Sequence, residues 1–284
     1  MVNALLLMTI VIFVSVQSVM KKAYNEKVTG GAMSFSAASC VAALVVFLIT
    51  SGGKLNFNSE FLIYSVLFAV SYSVTVVANL LSLEAGPLSL TCLVTSFSLI
   101  IPTLYGILAL DEPVSTNLFI GLGLLVVALI LINLEEKGEK KITAKWVLYV
   151  VLAFVGNGMC STVQKVQQLN QAGLYKNEFM IVALVISAIA MGIFALCTEK
   201  KALLPHLKTG FWLYTICGLA NGGANFLVIF LSSRMAASVM FPVISAGGIV
   251  LTFFISLFFY KEKLSKWQIL GSALGLVSVI FLNL

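Results

Sequence analysis

Apolar segments of about 20 residues follow one another along this chain, and short polar gaps separate them. The charged side chains, 17 Lys or Arg and 11 Asp or Glu, are predicted in these gaps. A helix rises about 1.5 Å per residue, so each segment can cross roughly 30 Å of hydrocarbon. The sequence therefore predicts an all-α membrane protein of about ten transmembrane helices. The predicted spans are 3–20, 31–50, 61–83, 88–110, 117–134, 146–164, 179–198, 210–232, 236–260 and 267–284.

Composition agrees with this fold class and argues against a nucleic-acid partner. Hydrophobic residues make up 60% of the chain and charged residues only 10%, whereas roughly a quarter of the residues are charged in soluble domains. The net charge of +6 comes from basic residues spread over the gaps, without a basic stripe or tail. The first apolar segment lacks a preceding basic region and a following cleavage pattern, so we expect it to be a retained helix.

The sequence gives no sign of metal binding or catalysis. Its five cysteines lie in apolar segments without CxxC spacing and are typical of small buried side chains. The only histidine, His206, is predicted in a loop, so ordinary ligand rules give no zinc site. No GxSxG, HExxH or Walker-A motif is present. We therefore expect no cofactor, no metal and no enzymatic activity.

The two halves of the chain repeat each other. Positions 112–134 match 262–284 at eight of 23 residues, and the first helix of each half matches at an offset of 144, which pairs Lys21 with Lys165. Because each unit has five helices, an odd number, the second unit must enter the membrane in the opposite orientation. This predicts an inverted repeat, in which secondary transporters place a solute site near the midplane. We predict a first five-helix unit over 1–134, a charged connecting loop over 135–145 and a second unit over 146–284.

Basic residues are unevenly divided between the two sides of the predicted bundle. Thirteen of the 17 lie after odd-numbered helices and four after even-numbered helices. The positive-inside rule then predicts that both termini lie outside. Labelling of a cysteine at residue 284 from one side of the membrane tests this orientation.

Two stretches of the chain resemble the drug/metabolite transporter superfamily, in its ten-helix branch of two EamA-type units. The first is Pro102-Thr103-Leu104-Tyr105-Gly106 followed by Asp111-Glu112-Pro113 and Gly121. The second is Phe241-Pro242-Val243-Ile244-Ser245-Ala246-Gly247-Gly248 followed by Lys261-Glu262-Lys263-Leu264-Ser265 and Gly271. The resemblance implies ten helices, secondary transport by alternating access and, in most members, cytoplasmic termini. The last implication and the charge count give opposite orientations, and both stay open.

Met20-Lys21 and the run Gly247-Gly248-Ile249-Val250-Leu251 are also similar to the small multidrug resistance proteins. Those proteins couple drug movement to protons through a membrane-embedded Glu on their first helix. Alignment through Met20-Lys21 puts Phe13 at that place, and Asn157 is its counterpart in the second half. The resemblance therefore does not carry proton coupling over to this chain.

Uncharged polar side chains at helical spacing provide the candidate solute site. Ser and Thr in membrane helices commonly bond their own carbonyls, and Asn commonly bonds a neighbouring helix. Polar positions nevertheless coincide between the two units, which favours a hydrated cavity lined by helices 1, 3, 4, 6, 8 and 9. Its predicted substrate-binding residues are Phe13, Tyr72, Thr95, Ser98, Asn157, Ser161, Asn221, Asn225 and Ser245.

These features together predict a secondary transporter that exports a small organic solute, such as an amino acid, metabolite or drug, across the plasma membrane. The alternative is a non-transporting membrane subunit or a lipid-flipping accessory protein. The expected partners are the solute and the bilayer. The GxxxG pairs Gly218/Gly222 and Gly271/Gly275 fit close packing inside the bundle, and a dimer face on helix 10 is the other interpretation. An oligomer is thus possible but not required.

Overall fold

The computed structural model describes residues 2–56, 58–85, 91, 94–95, 97–133, 142–258 and 265–282. Across these residues the chain forms helices and connecting turns, with no strand. The helices are α1 (Val2–Lys27), α2 (Ala32–Ser51), α3 (Leu62–Ala85), α4 (Ile100–Ala109), α5 (Thr116–Asn133), α6 (Ala144–Asn170), α7 (Lys176–Thr198), α8 (Leu203–Ser232), α9 (Ala237–Phe258) and α10 (Lys266–Leu282). Short 3-10 helices, Ser59–Phe61, Phe97–Leu99 and Lys200–Ala202, precede α3, α4 and α8.

Six of the described helices, α1, α2, α3, α6, α7 and α8, are long and apolar enough to cross a membrane. The described parts of α4, α5, α9 and α10 are shorter apolar helices. Large apolar side chains cover the outer surface, and Ile49 and Leu108 are 72% and 76% exposed. Such a surface needs lipid rather than water around it. The predicted all-α membrane fold is confirmed.

Several helices continue beyond the predicted spans. The sixth helix was predicted to end at residue 164 but runs to Asn170, so Lys165 lies inside it. His206, predicted in a loop, lies in the first turn of α8. Lys, Gln and Leu are good helix formers, so a helix need not end where its apolar segment ends. The segments 86–90 and 134–141 and the residue Glu262 lie outside the described residues.

The helix pairs that pack together set the position of the polar side chains. α6 packs against α3 and α4 and also touches α8, while α1 packs against α8 and α9. α2 packs against both α7 and α8, and α5 packs against α10. We call the side of the bundle with the loops after α2, α4, α6 and α8 the even face, and the opposite side the odd face. α6 therefore runs from the odd face to the even face with neighbours from both halves of the chain.

The GxxxG glycines allow close helix contacts within the bundle. A Cβ at Gly218 of α8 would lie 2.5 Å from Ala42 Cβ of α2, and one at Gly222 would lie 2.8 Å from the Ala43 carbonyl oxygen. A Cβ at Gly271 of α10 would lie 2.8 Å from the Ala128 carbonyl oxygen of α5. Both pairs therefore serve packing inside the bundle, which confirms that interpretation.

Gly218→Val is expected to destabilise the fold, because its side chain would collide with the backbone of α2. Overpacking of this kind costs about 1–3 kcal/mol or more. Gly123→Val is the matched control, since nothing lies within 4 Å of a Cβ at Gly123. Thermal unfolding in detergent measures both variants. Equal midpoints for the two would contradict the tight α2–α8 contact.

Candidate functional site

A row of polar side chains follows one face of α6. Asn157, Ser161 and Gln164 lie at positions i, i+4 and i+7, which share a face of an α-helix. The row spans about 10 Å along the axis. Gln164 is only 3% exposed. Buried amides need hydrogen-bond partners, so the neighbours of this row determine what it can bind.

At one end of the row, Asn157 joins α6 to the segment that leads into α4. Its Nδ2 donates to Ser98 Oγ at 2.6 Å. Ser98 is buried, and the chain can approach here because Gly158 has no side chain; a Cβ there would lie 2.7 Å from the Ser98 carbonyl oxygen. The structure thus brings together two of the predicted site residues.

At the other end, α6 is joined to α8 through a chain of amides. Gln164 Nε2 donates to Asn225 Oδ1 at 2.6 Å. Asn225 Nδ2 in turn donates to the Asn221 backbone oxygen at 2.9 Å and to Asn221 Oδ1 at 2.8 Å. Asn221 and Asn225 were predicted, whereas Gln164 was not. The three amides form a connected neutral hydrogen-bond network in the bundle.

The other predicted residues have different surroundings. The Phe13 ring packs against Gly223 of α8, where a Cβ would lie 2.7 Å from Phe13 Cε2. Gly223 lies two residues from both Asn221 and Asn225 on α8, so the Phe13 ring of α1 packs close to these amides. The Tyr72 ring stacks on Phe68, with centroids 6.1 Å apart, and packs against an apolar core cluster.

The predicted site residues with hydroxyl side chains also lie in different surroundings. Thr95 Oγ1 donates to the Thr91 backbone oxygen at 2.8 Å. Ser161 is half-buried on α6, between the two amide contacts. Ser245 lines a separate cavity of about 40 Å³ between α4, α5 and α9, whose other lining residues are mostly apolar. The assignment of the whole set to one solute site therefore stays a prediction.

A buried ion pair lies at the even-face end of α6. Lys165 Nζ is 3.4 Å from Glu112 Oε1, and the two side chains are 5% and 9% exposed. Lys165 Nζ also donates to the Met235 backbone oxygen at 2.6 Å. The Glu112 carboxylate accepts from the first backbone N–H groups of α9, those of Ala237 at 2.7 Å and Ser238 at 2.8 Å. One carboxylate therefore joins the α4–α5 loop, α6 and α9.

This environment favours the charged form of Glu112. Burial alone would raise the pKa of its carboxyl, but hydrogen bonds from Ser238 and Ala237 and the neighbouring Lys165 ammonium lower the pKa overall. The N-terminus of α9 contributes in the same direction, because its unpaired N–H groups carry partial positive charge. The carboxylate is therefore ionised at neutral pH.

On the odd face, a second glutamate caps another helix. Glu199 Oε1 accepts from the Met33 and Ser34 backbone N–H groups at the start of α2, at 3.1 and 2.9 Å. Its Oε2 lies 2.9 Å from His206 Nδ1. This contact ties α7 and α8 to α2. Among the described residues, no group of His, Cys, Asp or Glu is arranged to hold a metal ion.

A large apolar groove lies between α2, α7 and α8, away from the predicted site residues. Its volume is about 650 Å³. Small and apolar side chains such as Ala37, Val41 and Gly192 line it, and Ser34, Tyr214 and Thr215 are its polar lining residues. A groove of this composition can hold a hydrocarbon chain, but offers few partners to a polar solute.

Gln164 and Lys165 are two buried polar residues of α6 that the sequence did not lead us to predict as part of the site. A signal was present, because Gln164 continues the spacing of Asn157 and Ser161 along the same face. The predicted span ended at residue 164, and Lys165 was consequently treated as a loop residue. Extension of the helix by one turn would have included Lys165, whereas Gln164 already lay within the predicted span.

Comparisons with known proteins agree with the fold. Residues 144–284 match the model of the EamA-like transporter family. No curated protein matches the chain. Among solved structures, 28 chains match. One of them, described only as "Crystal structure of protein", has a TM-score of 0.80 at 11% identity, over 98% of this chain and 95% of that chain. At this identity the likeness shows the fold alone.

Proposed function

Because this chain belongs to the EamA-like transporter family, we propose that it is a secondary transporter that exports a small organic solute across the plasma membrane by alternating access. The observation that carries the proposal is the polar face of α6, which bonds α8 through Gln164 and Asn225 and the α4 segment through Asn157 and Ser98. A multi-pass membrane protein of the drug/metabolite type needs such a polar surface between its helices if a solute is to cross.

The chemistry of this surface favours recognition of the solute by uncharged side chains. Each Asn or Gln amide offers two donors and two acceptor lone pairs, which suit a zwitterion or an amide. Phe13, packed against Gly223 close to Asn221 and Asn225, adds an aromatic face. A ring next to a cation contributes roughly 0.5–2 kcal/mol. The solute class is therefore an amino acid, an amphiphilic metabolite or a cationic drug.

The helix packing supports an inverted repeat of the predicted units 1–134 and 146–284. In such a repeat, α1 of the first unit corresponds to α6 of the second, and α3 and α4 correspond to α8 and α9. The contacts of α1 with α8 and α9 then become those of α6 with α3 and α4, and all four contacts are present. We propose that alternating access exchanges the two halves between these equivalent arrangements.

Reconstituted transport tests the proposal. Solutes are first selected by thermal shift, since a ligand at 100 times its dissociation constant stabilises the protein by about 2.7 kcal/mol. We then expect saturable flux of at least one selected solute in proteoliposomes, and none in protein-free liposomes. Folded protein that moves no amino acid, metabolite or cationic drug would refute the proposal.

The apolar groove between α2, α7 and α8 favours a second candidate, a lipid-flipping accessory protein. Its lining suits an acyl chain. A fluorescent phospholipid assay with a membrane-impermeant quencher distinguishes the two functions. Lipid scrambling without solute flux would select this second function.

A further inference from the structure

The Glu112 carboxylate lies in a space that exists because Gly106 has no side chain. A Cβ at Gly106 would lie 2.9 Å from Glu112 Cδ and 3.0 Å from Ala237 Cβ. Any larger residue at Gly106 would therefore displace the carboxylate from α9. Together with the two N–H donors and the Lys165 ammonium, this makes a fitted site for one carboxylate at the even face.

The same contacts lie directly over the candidate solute site. Lys165 follows Gln164 in sequence and lies about one turn from Ser161 on α6. At 4% exposure it closes the even-face end of the polar row together with Gln168, which is 1% exposed. Both side chains therefore lie between the polar row and the even-face end of α6.

We propose that Glu112 and Lys165 form a gate that closes the even face over the polar face of α6. The inference rests on the proposed transport function for its purpose, and its geometry stands on the described contacts. Opening breaks the Glu112–Lys165 pair and releases the first turn of α9 from the carboxylate. Closing restores both.

The fold supplies a hinge next to this gate. Pro242 lies inside α9, five residues after Ala237. Proline has no N–H group, so the helix loses a backbone hydrogen bond there and bends more easily. The first turn of α9 can therefore move without the rest of the helix. The Met235 carbonyl, bonded to Lys165 Nζ at 2.6 Å, moves with that turn.

Accessibility of a cysteine at Ser161 tests the gate. Ser161→Cys is placed in the full chain after the native cysteines are replaced by Ala, and the protein is held without solute in oriented proteoliposomes, with only the even face exposed to the reagent. Its rate of labelling by a membrane-impermeant maleimide follows the fraction of open molecules. We expect Glu112→Gln and Lys165→Met to raise this rate about tenfold or more, because each removes one side of the gate.

Gly106→Ala is a second variant that keeps both charges. Its added methyl group displaces the Glu112 carboxylate, so the labelling rate should also rise, and the result stands if Glu112→Gln fails to fold. Lys54→Met and Glu60→Gln are the controls, because both remove exposed charges from the even face, and they should leave the rate unchanged.

An unchanged rate in all three gate variants would overturn the proposal, as would equal increases in the controls. Labelling needs no solute, so its outcome is independent of the transport assay. Faster labelling without flux would refute the proposed function alone. Flux with unchanged labelling would refute the gate alone.

Discussion

Simultaneous replacement of Asn157 and Asn225 by Leu is expected to reduce solute flux by about a hundredfold or more. Asn157 is bonded to Ser98 at 2.6 Å and Asn225 to Gln164 at 2.6 Å, so the double variant removes one of the two hydrogen-bonding partners at each end of the polar row. Each buried group left without a partner costs about 1–3 kcal/mol, and 1.4 kcal/mol corresponds to a tenfold change. Flux in proteoliposomes at fixed solute concentration measures the loss.

The control for this variant is Asn25→Leu. Asn25 is exposed near the end of α1, so the same chemical change there should leave flux unaltered. Gln164→Leu should resemble the double variant in part, because it removes the donor to Asn225 while leaving Asn157 intact. Unchanged flux in a folded Asn157→Leu/Asn225→Leu protein would exclude the polar face of α6 as the solute site.

The fold was predictable from the sequence because hydrophobic length alone determines which segments can lie in a bilayer. Ten apolar segments separated by polar gaps leave helices as the available structure. Hydrophobic length did not predict where the helices end. α6 runs through Lys165 and Gln167 to Asn170 because these polar side chains find partners outside the helix. Lys165 contacts the Met235 carbonyl and the Glu112 carboxylate, and Gln167 donates to the Leu174 carbonyl in the α6–α7 loop. Hydropathy measures transfer to lipid and does not record such partners.

The candidate site was predictable only as far as helical spacing goes. The spacing correctly placed Asn221 and Asn225 on one face of α8, and the structure bonds the two side chains to each other. Their partner Gln164 comes from a helix that is distant in sequence, and such contacts follow from tertiary packing.

Tyr72 and Ser245 illustrate the limits of spacing. Both lie on polar stripes of their helices, yet Tyr72 packs against the apolar cluster around Phe68 and Ser245 borders a separate cavity. Spacing identifies residues that share a face. It does not determine which neighbour that face meets, because helix rotation is set by packing against the other helices.

Glu112→Gln is expected to destabilise the fold more than Lys165→Met does. Removal of the Glu112 charge leaves the buried Lys165 ammonium without its counter-charge, because the Met235 carbonyl and the new amide are both neutral. Breaking a buried pair in this way costs about 3–5 kcal/mol. In Lys165→Met the carboxylate keeps its bonds from Ala237 and Ser238 and the favourable end of α9, so the loss should be smaller.

The double variant Glu112→Gln/Lys165→Met completes a cycle that isolates the interaction. It buries no unpaired charge, so it should be more stable than the sum of the single losses predicts, by about 0.5–3 kcal/mol. Reversible unfolding in mixed detergent micelles measures the four free energies of unfolding. Strictly additive losses would show that Glu112 stabilises the fold through the α9 N-terminus alone. A cycle with positive coupling would show that the two charges stabilise each other, as a gate that closes by ion pairing requires.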